Sequence, residues 1–190
     1  ACATPDPGSG SAADAPPGFS PGSLAPGLPT GDVIGQGTVM DTGDGIELCL
    51  GAILESYPPQ CSGVPLANWT WDGVDGSEEA SGTRWGAYAV QGAYDGETLT
   101  VTEPPLLLAL YDPMVPADPT KSKPGTADEA TLAEIQEEID ARLGTAVLAS
   151  WPEEGRLWVQ VVWDDGTWQK AADDDFGQGV VIVHSALREL

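Results

Sequence analysis

Between Thr126 and Gly144 the chain carries a full set of helix signals, and this segment constrains the fold more than any other. Thr126 followed by Glu129 reads as a capping box, and Asp128 and Glu129 suit the positive end of a helix. Leu132, Ile135, Ile139 and Leu143 then recur on one helical face, and Gly144 follows as a C-terminal stop. Residues 146–151, 156–163, 167–171 and 180–184 read as strands, and Asp165-Gly166 between the middle pair is a type I′ hairpin signal. On that register Trp163 faces Trp168 beneath the helix, on the side of Leu157, Val159 and Val161. An apolar helix stripe and an apolar sheet face must cover each other. Residues 126–190 are therefore expected to form an α+β domain, with the helix packed on a small antiparallel sheet.

Upstream, residues 34–111 read as a β-rich domain. Segments 37–41 and 46–54 flank the turn Thr42-Gly43-Asp44-Gly45, and segments 84–94 and 97–102 flank Asp95-Gly96. Leu99 and Val101 alternate with Thr98, Thr100 and Thr102, the period of a half-buried strand. Residues 112–125 form a linker, because Pro113, Pro116, Pro119 and Pro124 prevent regular structure. The apolar run 106–110 is too greasy for a free linker and is expected to lie across a core or an interdomain seam. Residues 1–33 are a Pro/Gly/Ser/Ala tract with little to bury, expected to be a disordered or polyproline-like tether.

Thirty acidic residues face seven Lys and Arg, for a net charge of -23. Such a surface repels phosphate backbones and anionic head groups, which argues against nucleic acid and direct membrane adhesion. Abundant Ala, Gly, Pro and Asp with scarce Lys is also what a high-GC genome produces. Of three cysteines, Cys49 and Cys61 lie close together and Cys2 stands alone. Two paired and one used otherwise is the arithmetic of an exported protein, and a loop so short would gain roughly 3 kcal/mol from closure. With one histidine and no Cys-x-x-Cys, no zinc site and no cofactor are expected. No apolar run reaches membrane-spanning length. The Ala1-Cys2 start without Met reads as a mature form whose export signal has been removed.

The stretches LCLGAILESYPPQCSGVPLANWTW and RWGAYAVQGAYDGETLTVTEPP, and the closing VVWDDGTWQKAADDDFGQGVVIVHSAL, cover more than half the chain. They resemble exported, uncharacterised lipoproteins of actinobacteria. The resemblance implies export, a Cys49–Cys61 disulfide and lipidation at Cys2, hence a lipid-anchored protein on the extracellular face of the membrane. It implies no activity.

The chemical candidates are few. Val39-Met40-Asp41-Thr42-Gly43 matches the aspartic-protease run, but that chemistry needs a second such element, so a turn is expected. His184-Ser185 lacks a nucleophile elbow and an orienting acid. Asp173-Asp174-Asp175, near Asp164-Asp165, lacks calcium-loop spacing and reads as a solvated acidic loop. Gly35-x-Gly37 lacks the third glycine of a nucleotide loop. Trp158, by strand alternation, turns away from the core with Gln160 and Gln169, and an aromatic among amides suits stacking on a sugar or peptide. No catalytic residue is assigned. The expectation is a binding or accessory module of the envelope, with a protein, peptide or glycan partner. The alternatives are an envelope hydrolase using a carboxylate pair and a structural or inhibitory protein.

Overall fold

The computed structural model describes residues 24–54, 56–61, 63–113, 115 and 117–190. In chain order they form β1 (Val33–Asp41), β2 (Ile46–Cys49), β3 (Val64–Ala67), β4 (Glu78–Ala80), β5 (Thr83–Tyr94), β6 (Leu99–Val101) and β7 (Leu106–Leu107). There follow α1 (Glu129–Leu143), β8 (Val147–Glu153), β9 (Arg156–Val161), α2 (Thr167–Phe176), β10 (Val181–Ser185) and β11 (Arg188–Glu189). The architecture is α+β and β-rich, as the residue pattern implies.

β1 pairs with β2 across the Thr42–Gly45 turn and with β5 along its whole length, from Val33↔Gly92 to Asp41↔Arg84. β2 continues to β3, β3 runs parallel to β6, and β6 returns to β5. The circuit β1-β2-β3-β6-β5-β1 therefore closes into a five-stranded barrel with one parallel seam, the connectivity of an OB-type barrel. β4 and β7 continue the row on the side of β5 away from β1. Alternate residues of these strands fill the interior, with Val33, Val39, Leu48, Tyr88, Val90 and Leu99 fully buried. Trp69 and Trp71 pack against Tyr88 from the loop after β3, and Trp71 Nε1 donates to Asp41 Oδ2 at 2.9 Å. Cys49 and Cys61 are disulfide-bonded, tying the end of β2 to the loop before β3. Glycine is required where backbones touch: a Cβ on Gly37 would collide with the Cys49 carbonyl.

In the second unit α1 buries Leu132, Ile135, Ile139 and Leu143 against Leu157, Val159 and Val161 of β9, and Gly144 ends it. Its cap is Asp128, whose carboxylate accepts from Thr131 N–H, and not Thr126. The hairpin expected at Asp165-Gly166 does not form. Residues 167–176 are the helix α2, and β10 lies parallel to β9 in the order β10-β9-β8. Two carboxylates account for the difference. Asp164 accepts from Trp168 and Gln169 N–H, and Asp165 from Thr167 N–H, so the first free amides of α2 are satisfied. Trp168 and Ala172, four apart, then bury one helical face. Trp163 lies instead against the barrel core.

The two units interlock. β11 pairs with β1 at Val33↔Glu189 and Ile34↔Arg188, and the fully buried Leu187 packs on Gly35, Leu48 and Leu50. Of the expected tether, residues 1–23 lie outside the described residues. Residues 24–32 run along the second unit: Trp163 Nε1 donates to Gly27 O, Trp168 Nε1 to Leu24 O, and Thr30 N–H to Glu189. The 106–110 run contributes Leu107 to the barrel cluster, while Leu106 and Leu110 are 53% and 84% exposed, so only part of it covers a core.

Candidate functional site

Strand alternation turns Leu157, Val159 and Val161 toward α1, so Trp158 and Gln160 occupy the opposite face of the sheet. Registration brings Trp151 of β8 beside Trp158 on one side and Ile182 of β10 beside it on the other; His184 pairs with Gln160. The His184 ring meets Trp151 at 5.7 Å and Trp158 at 6.3 Å, both edge-to-face. His184 Nδ1 is buried and has no hydrogen-bond partner among the described residues. Burial, aided by the Arg188 charge, lowers the pKa of this imidazole, so it is neutral at pH 7.

The segment before α1 runs beside this face as a strap. Arg156 donates to the carbonyls of Lys123 and Gly179, and Arg188 to that of Val115. Two cavities adjoin there. One, of about 340 Å³, lies over Trp151, Trp158 and His184, and Asp118, Glu153 and Glu154 also line it. The other, of about 1010 Å³, extends from His184 along β10 toward the start of α2. Thr120, Lys123, Arg156 and His184 line both, so the two form one cleft.

Lys121, Lys123, Arg156 and Arg188 line this cleft, four of the seven cationic side chains in the chain. Among the described residues none of the four is ion-paired; the salt bridges are those of Arg142 and Lys170, elsewhere. The carboxylates in the larger cavity have other work. Asp164 caps α2, and its burial raises its pKa despite the two amides it accepts. Asp173 accepts from Gly179 N–H and from the Gln169 amide.

Gln169 does not join Trp158. Its amide nitrogen donates to Val181 O and its oxygen accepts from Val183 N–H, so the side chain occupies the outer edge of β10 as a pairing strand would. Trp158 and Gln160 do share the cleft-side face. The other candidates are engaged elsewhere. Asp41 accepts from Gly43 N–H in a turn. Ser185 Oγ bonds the backbone of Asp164. Asp174 pairs with Lys170 and Asp175 with Arg142, and no cluster able to hold a metal ion occurs among the described residues. Cys2 lies outside them. No helix among them is long and apolar enough to cross a membrane.

The sequence reading missed Trp151 and the four cations. They come from the strap, β8, β9 and β11, and only tertiary structure joins them. Comparison with protein-family models, curated proteins and solved structures gives no match.

Proposed function

We propose that the protein is a binding or accessory module of the cell envelope, lipid-anchored through Cys2 on the extracellular face. In this reading it holds an anionic partner in the cleft beside the strap. The carrying observation is the distribution of charge. A chain of net charge -23 keeps four of its seven cations around one cleft, none of them ion-paired among the described residues. The surrounding field repels anions, so cations in a recess that neutral carbonyls hold, and no carboxylate among the described residues offsets, mark where an anion gains most. The Cys49–Cys61 disulfide supports an oxidising compartment, in keeping with export.

In the larger cavity the two carboxylates that a hydrolase would need, Asp164 and Asp173, are already held by backbone amides. A plug-like inhibitory role would call for a flat apolar face, which a cation-lined cleft is not.

The test is retention of the protein on isolated envelope glycan, lipid and protein fractions at low and high salt. Lys121 and Lys123 are exposed, so Lys121→Glu/Lys123→Glu should fold. Loss of retention in that variant, but not in Lys170→Glu, is expected, with salt weakening the wild type. Equal retention of all three proteins would sink the reading. Mass spectrometry of the native protein tests the anchor: an unmodified Cys2 thiol removes it.

A further inference from the structure

Resting on that reading, we infer that the anionic partner is an acidic glycan: one sugar ring lies on Trp158 in the smaller cavity and an attached acid group reaches the cations of the larger. The division of the cleft supports this. Its smaller end is walled by Trp151, Trp158 and the neutral His184, with Glu153 and Glu154 in its lining as acceptors for hydroxyls, while Asp118 is taken up by Thr120 and Ser122. Indole faces with carboxylate acceptors suit a polyhydroxylated ring, whose C–H face stacks and whose hydroxyls donate. At about 340 Å³ that end is of small-ligand size.

Cations line the other end. Lys121 and Arg188 lie there, and Lys123 and Arg156 stand at the junction between the two cavities. A neutral sugar would leave this end unused. An acidic peptide would engage it, but the usual way to hold an extended peptide is strand addition at a free sheet edge. Here Gln169 already occupies Val181 O and Val183 N–H at the β10 edge beside the cleft. That route is closed, whereas ring stacking on the sheet face stays open.

The experiment titrates the protein by calorimetry with four probes. These are an oligogalacturonate, the same oligomer fully methyl-esterified, mannose 6-phosphate and a short oligoglutamate. Binding of the oligogalacturonate or the sugar phosphate is expected, the choice telling carboxylate from phosphate. The esterified oligomer and the peptide should bind at least about tenfold more weakly, one lost contact of roughly 1.4 kcal/mol. Trp158→Ala should also cost about tenfold, with Trp158→Phe recovering most of it and guarding against misfolding. Equal binding of the oligoglutamate would overturn the glycan inference while leaving the anion-binding reading intact. Equal binding of the esterified oligomer, or no binding of any probe, would overturn both.

Discussion

At the residue scale, His184 sets a pH dependence whose sign follows from its surroundings. Its ring sits against Trp151 and Trp158, its Nδ1 is buried without a partner, and Arg188, Arg156 and Lys123 line the same cleft. Burial first, and Arg188 second, disfavour the imidazolium and lower the folded pKa below the ordinary 6.5. The unfolded chain therefore takes up a proton that the folded chain resists. Stability contributed by neutral His184 is complete above about pH 6.5 and is lost as pH falls through the lowered folded value. Asp95, Asp118, Asp128, Asp165 and Glu189, held low by hydrogen bonds, lose their contributions only at more acidic pH. Asp164, raised by burial, acts in the opposite direction near the ordinary carboxylate range, gaining stability on protonation. The urea midpoint should thus fall between about pH 7 and pH 5, and His184→Gln should flatten that slope. An unchanged slope in the variant would assign the dependence to other groups.

At the element scale the strands and α1 were legible because their periods are clean. Leu132, Ile135, Ile139 and Leu143 recur at helical spacing and are all buried, and the alternation around Leu99 and Val101 matches β6. α2 was not legible, because Asp165-Gly166 is as good a hairpin turn as it is a helix entry. The deciding factor was the pair Asp164 and Asp165, which satisfy three amides at the start of α2 and leave β10 to pair in parallel. That exchange also reassigned Gln169, from an exposed stacking partner to the closure of a sheet edge. Gln169→Glu keeps the shape and the acceptor but loses the N–H donated to Val181 O, and it sets a carboxylate against Asp173. It should destabilise the fold by about 1–3 kcal/mol, read from denaturant unfolding. Weakened ligand binding at unchanged stability would instead restore Gln169 as a ligand contact.

At the scale of the whole molecule, the residue pattern suggested two domains joined by a linker, with a sheet period in the first and the α1 stripe in the second. Ring closure was not legible, since it depends on β1 meeting β5, far away in sequence, and on β3 lying parallel to β6. The interlock was hidden for the same reason. β11 is only two residues long and the 24–32 segment has no periodicity, yet together they bind the second unit to the first strand of the barrel. Leu187 is the test of how tightly. It is fully buried among Gly35, Leu48 and Leu50, between β10 of the second unit's sheet and β11, which pairs with β1. Its backbone also donates to Val162 O, so a defect there is felt by both sheets. Leu187→Ala should cost about 2–5 kcal/mol, the usual range for a buried Leu whose site cannot collapse. If the units form one cooperative structure, amide hydrogen exchange in β1 and in α1 should accelerate by the same factor. Faster exchange in β1 with α1 unchanged would mean that the barrel opens independently. The cleft, whose Arg188 sits next to Leu187 and hydrogen-bonds the strap at Val115, would then owe its shape to the second unit alone.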